Sequence, residues 1–136
     1  MDFFVFISEQ WLLFGVLAVL VAGFVSLEKK RSGAVLSHHE VTRALNAETA
    51  VLLDVRESKD FSAGHISGAM NIPFAKLKER LVELDKYKAK TIVVADKMGQ
   101  QSGGGVKILS EAGFEAARMQ GGMADWEAQN LPVVKS

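Results

Sequence analysis

Thr91-Ile92-Val93-Val94-Ala95-Asp96-Lys97-Met98-Gly99-Gln100-Gln101-Ser102 is the stretch that decides the fold. Thr91 to Ala95 is short, apolar and rich in β-branched residues, so it reads as a buried strand. The polar residues Asp96 to Ser102 then lead into a helix predicted to run to Ala112 and to close on Gly113. A strand, a tight glycine-containing loop and a helix N-terminus together make a cradle of backbone N–H groups suited to an anion. Such a cradle commonly surrounds a nucleophile. Here its first position is Asp96, and the 136 residues include no cysteine.

Outward from this stretch the pattern repeats. Ala50 to Val55 is a second apolar run and a second predicted strand. Ser37-His38-His39-Glu40 is a capping box, with a short helix expected to about Asn46. Ser58 to Phe61 reads as a helical turn ending near Gly64, Gly64 to Ala69 as a loop, and Met70 to Pro73 as extended chain. Ala75 to Leu84 is amphipathic, with Leu77, Leu81 and Leu84 on one face. Ala116 to Met119 is a third strand candidate; Gly121-Gly122 marks a tight turn before a last helix, Met123 to Gln129. Strands that are apolar throughout and alternate with helices predict an α/β fold, a parallel sheet covered on both faces. The working crevice of such a sheet lies at the carboxyl ends of its strands, where Asp54, Arg56 and the Asp96 loop all fall.

The other decisive stretch is N-terminal. Gln10 to Leu27 carries no charge; this is about 18 residues, roughly 27 Å as a helix. Phe3 to Ile7 extends it, and Trp11 stands near one end. No basic residue precedes the run and no Ala-x-Ala site follows it, which argues against a signal peptide. A soluble core helix is rarely apolar on every face. A transmembrane anchor over residues 1–28 is therefore expected, then a basic juxtamembrane linker over 29–34, then a domain over 35–136. Lys29, Lys30 and Arg31 place the domain in the cytoplasm by the positive-inside rule, with the N-terminus outside. Ala18, Ala22 and Ser26 recur at every fourth residue. They are either the ordinary small residues of a membrane helix or the face that meets a helical partner. With 16 basic and 16 acidic residues, the balance gives no reason to expect a nucleic-acid partner.

The segments Leu52-Leu53-Asp54-Val55-Arg56, Phe61 to Pro73, Glu111-Ala112-Gly113-Phe114 and Gly121 to Trp126 resemble the single-domain rhodanese family, over roughly residues 35 to 136. Together with the anchor, the chain is similar to the family's membrane-anchored type. The resemblance implies a three-layer domain with a five-stranded parallel sheet. It also implies a catalytic loop of the form Cys-x-x-Gly-x-Arg-Ser, whose cysteine carries a persulfide. The corresponding residues are Asp96, Lys97, Met98, Gly99, Gln100, Gln101 and Ser102. Gly99 and Ser102 are kept; Asp96 stands at the cysteine position and Gln101 at the arginine position.

Both departures bear on the chemistry. The thiolate is the attacking species in sulfur transfer, and a carboxylate cannot carry a sulfane sulfur. Gln101 is neutral where an arginine would face an anionic donor. No catalytic residue, cofactor or metal is expected. The expectation is a catalytically inactive module in a bacterial inner membrane, bound to the bilayer and to a membrane or cytoplasmic protein. Two alternatives use the retained cradle: a sulfurtransferase-related enzyme working with a partner's cysteine, and an anion sensor. Asp96 either fills the cradle as an internal anion or points to solvent. Gly103-Gly104-Gly105 is either a partner-adapted loop or drift, since glycine costs about 1 kcal/mol against alanine in a helix. His65 is expected to order its own loop, His38 and His39 to be structural, and Trp126 to be core.

Overall fold

The computed structural model describes residues 2–32 and 34–135, with the backbone alone over 27–32. The side chains of the basic triplet Lys29, Lys30 and Arg31 therefore lie outside the described residues. The chain divides into two compact units, Met1–Lys30 and Arg31–Ser136.

Helix α1 spans Asp2–Ser32, and its Asp2–Ser26 part is long and apolar enough to cross a membrane. Twenty-five residues make about 37 Å of helix, against a hydrocarbon core of about 30 Å. Its large apolar side chains, from Phe3 to Val25, are exposed.

The second unit is a five-stranded sheet in the order β1-β5-β4-β2-β3, with every pairing parallel. Its strands are β1 (Ala34–Leu36), β2 (Ala50–Asp54), β3 (Met70–Asn71), β4 (Thr91–Ala95) and β5 (Ala116–Met119). Helices α2 (His38–Asn46), α3 (Ser58–Ala63) and α4 (Ser102–Glu111) lie in the connections, and α5 (Gly122–Ala128) follows the last strand. Side chains alternate along the strands, so each strand serves two cores. Leu53 and Val94 pack with Leu77, Leu84, Val106 and Leu109 on one face. Leu52 and Val93 pack with Val41, Met119, Met123 and Trp126 on the other. Trp126 is core as expected, and its indole N–H donates to the Pro132 carbonyl at 3.0 Å.

Two elements differ from the sequence reading. Strand β1 begins at Ala34, inside the expected linker, and pairs Ala34, Val35 and Leu36 with Ala117, Arg118 and Met119. Three residues are too few to show an alternation, and the pairing partner lies more than 80 residues later. The amphipathic segment is a 3₁₀ helix over Phe74–Tyr87, broken at Arg80 (φ −112°, ψ 15°). The break lets Leu77 and Leu84 both turn inward. Positions i and i+3 eclipse in a 3₁₀ helix, and Arg80 there forms a two-pronged pair with Glu83 at 2.6 and 2.9 Å.

Candidate functional site

Two loops leave the carboxyl ends of neighbouring strands. β2 and β4 run in register, Asp54 beside Ala95, so the loop after β2 and the loop after β4 emerge side by side. Each carries one buried carboxylate: Asp54 is 0% exposed and Asp96 1%.

Asp54 is held by a cation. Arg56 donates from Nε to Oδ1 and Oδ2 at 3.0 and 3.1 Å and from Nη2 to Oδ2 at 2.8 Å. The Arg56 backbone N–H also donates to Oδ1, at 3.0 Å. Nη2 reaches on to the Gly64 carbonyl at 2.7 Å. Asn71 Nδ2 donates to the carbonyls of Asp54 and Arg56, tying β3 to the turn. Next along, His65 donates from Nδ1 to the Phe61 carbonyl at 2.8 Å and stacks on the Phe61 ring, so it orders its loop as expected. The His65 backbone exchanges two hydrogen bonds with Val134 near the chain's end, at 2.9 and 2.7 Å.

Asp96 is held by backbone. The N–H of Gly99 donates to Oδ1 at 2.6 Å; those of Gln101 and Ser102 donate to Oδ2 at 2.5 and 3.0 Å. The carboxylate points inward, which decides between the two orientations left open by the sequence. Gly99 turns the loop with φ +88°, a conformation that disfavours side chains. Lys97, Met98, Gln100 and Gln101 face outward, Met98 with 60% of its surface exposed. Ser102 is buried as the first residue of α4.

The cradle is closed from behind by a residue whose part the sequence did not reveal. Gly122 (φ +64°) lies so close that a Cβ there would stand 2.6 Å from the Asp96 carbonyl oxygen and 2.7 Å from its Oδ1. The N–H of Met123 donates to the Asp96 carbonyl at 2.7 Å, and that of Ala124 to the Lys97 carbonyl at 2.8 Å. The Gly-Gly doublet signalled a turn, but nothing local signalled what the turn touches.

The glycine run also has a packing reason. A Cβ on Gly105 would meet Val94 Cγ1 at 3.1 Å, and one on Gly104 would meet the Phe74 ring at 3.0 Å; Gly103 has ordinary room beside Arg118. Arg118 carries a buried Nε without a hydrogen-bond partner. His38 is buried, donates from Nε2 to the Gln120 carbonyl at 2.9 Å and lies edge-on to Trp126. A cavity of about 340 Å³ opens beside the two loops; its walls include Arg56, Lys97, Asp60 and Glu127, so neither ionic sign dominates.

Chemically, each carboxylate is engaged by its own donors, a guanidinium for Asp54 and backbone amides for Asp96. A loop wrapped around a carboxylate presents no nucleophile of the thiol kind.

The family model for a rhodanese-like domain matches residues 37–129. The protein YibN of Escherichia coli K12 is 37% identical over 131 residues, covering 95% of this chain and 90% of YibN. Thiosulfate sulfurtransferase PspE of the same organism is 37% identical over 73 residues, 54% of this chain and 70% of PspE. The crystal structure of a rhodanese-related protein from Thermoplasma volcanium superposes with a TM-score of 0.69 at 26% identity, covering 76% of this chain and 99% of that one. The all-parallel sheet described above is the architecture these relationships share with it.

Proposed function

The chain belongs to the rhodanese-like domain family, and on that premise we propose that it is a catalytically silent, membrane-anchored member that binds protein partners. The reading is carried by Asp96. At the position where the family's sulfur carrier is expected, this chain has a carboxylate, buried and bonded to the N–H groups of Gly99, Gln101 and Ser102. Sulfur transfer needs a thiolate that attacks the donor's sulfane sulfur, expels the rest of the donor, holds that sulfur as a persulfide, and is released as thiolate when an acceptor takes it. No sulfur nucleophile exists among the 136 residues, and Gln101 supplies no charge for an anionic donor.

The helix α1 serves as the anchor, in the inner membrane of a bacterium. Lys29, Lys30 and Arg31 retain the domain on the cytoplasmic side. Partners are reached through the domain, or in the bilayer through the small-residue stripe Ala18, Ala22 and Ser26.

Photo-crosslinking in native membranes tests this reading, with the probe placed in turn at Met98 and on α1. Discrete adducts are expected, and their loss on deleting α1 would assign them to the bilayer. Only diffuse collisional labelling from both sites would overturn the module. Purified full-length chain should transfer no sulfur from thiosulfate to cyanide. Turnover by the chain alone would overturn its silence; turnover only with added membrane extract would move the reading to an enzyme completed by a partner's cysteine.

A further inference from the structure

We infer that Asp96 is the resident ligand of its own cradle: the loop after β4 is an anion site kept permanently filled by a side chain, and so refractory to anions from solution. The inference deepens the reading of Asp96 given above and rests on it.

The donors point to this. Three backbone N–H groups within four residues converge on one carboxylate, one on Oδ1 and two on Oδ2. That is how such a loop holds a free oxyanion, with amide dipoles and the start of a ten-residue helix supplying the positive potential. The guest here is covalently attached. A tethered group competes at an effective concentration far above that of a soluble anion, because its translational freedom is already lost.

The carboxylate is also backed from the interior side. Gly122 fits against the Asp96 carbonyl and Oδ1 only because it has no Cβ, and Met123 holds the same carbonyl from α5. Swinging the carboxylate outward would leave three amide donors without it, and the buried one, on Ser102, is costly to strand. The loop therefore keeps one shape with or without solutes, as a surface for binding a partner requires and as an anion sensor does not.

The group removed by Asp96→Gly is the CH₂–COO⁻ unit, which acetate replaces in shape and charge. The experiment uses full-length chain in nanodiscs, amide ¹H–¹⁵N spectra and thermal unfolding. In Asp96→Gly, the Gly99, Gln101 and Ser102 amide signals should move and the domain midpoint should fall. Sodium acetate should return both saturably, where sodium chloride at equal ionic strength does not. In the native chain, acetate, sulfate and thiosulfate at concentrations that saturate the variant should leave the three signals in place. Native signals that titrate with any of these anions would overturn the inference, as would a folded variant that recovers nothing with acetate. Should Asp96→Gly not fold, Asp96→Ala with formate repeats the test; should neither fold, the native titration alone decides. None of these readouts depends on partner crosslinks or sulfur transfer, so the inference and the proposed function fail separately.

Discussion

The loop after β2 and the loop after β4 solve one problem in two ways. Both bury a carboxylate at the end of a parallel strand. Asp54 is met by a guanidinium on its own loop, whereas Asp96 is met by backbone amides and, among the described residues, no side-chain donor. The first solution depends on the identity of one partner residue, Arg56. The second depends on backbone shape, hence on glycines that allow it. Sequence change should therefore break the two loops by different routes.

The largest effect is expected at the ion pair. Asp54→Ala leaves the Arg56 side chain, 8% exposed, with the Gly64 carbonyl but without its counter-charge, which costs about 3–5 kcal/mol. Replacing both residues at once, Asp54→Leu with Arg56→Met, should cost far less, since a buried pair is often matched by apolar residues of like volume. Urea unfolding followed by Trp126 fluorescence measures both; equal losses in single and double variants would erase the contrast drawn here. Next comes the backbone solution. Gly122→Ala adds a left-handed strain of about 1–2 kcal/mol and overpacking of about 1–3 kcal/mol against Asp96. Its cost should appear together with displaced Gly99 and Ser102 amide signals. A neutral Gly122→Ala would mean that α5 does not close the cradle.

Within α4 the glycines should separate by their surroundings. Gly105→Ala gains helix propensity but presses on Val94, a net loss of about 1 kcal/mol. Gly103→Ala has ordinary contacts and should stabilise by up to about 1 kcal/mol; thermal midpoints moving together would refute the packing account. The smallest effect is at the surface. The hydrogen bond from Arg80 holds the Glu83 carboxyl below its usual range. Its contribution to stability is thus present above that range and fades as pH falls through it. Both groups are exposed, so the slope should be slight, weaker in high salt and absent in Glu83→Gln. A pH slope unchanged in that variant would assign it elsewhere.

Much of this was legible in the sequence because it is local. The strands β2 and β4 are continuous apolar runs, Ser37 caps α2 as its spacing predicts, with Glu40 N–H donating to the Ser37 hydroxyl and that hydroxyl donating to the Glu40 carboxylate, and α1 is apolar around its whole circumference. The cradle amides follow from a loop that must turn at Gly99. What stayed hidden is long-range. The inward turn of Asp96 goes with the close approach of Gly122, some 25 residues later, which no spacing encodes. The glycine run read equally as a partner-adapted loop or as drift, and the packing of Val94 and Phe74 against it was in neither reading. β1 was hidden because a three-residue edge strand is defined by its neighbour β5. Leu77, Leu81 and Leu84 suit an α-helix and a broken 3₁₀ helix alike, so the period could not choose between them.

The chain's far end has a mechanical role that its composition conceals. Val134 exchanges both backbone hydrogen bonds with His65, and the residue before His65 supplies the carbonyl that Arg56 grips. The tail therefore braces the loop after β2 one residue from the carbonyl on which the guanidinium of the buried pair is anchored. The backbone of Val134 thus belongs to the loop's framework as much as Asn71 does, and a Val134→Pro exchange, which removes the N–H that the His65 carbonyl accepts, is the substitution that reaches the ion pair without touching it.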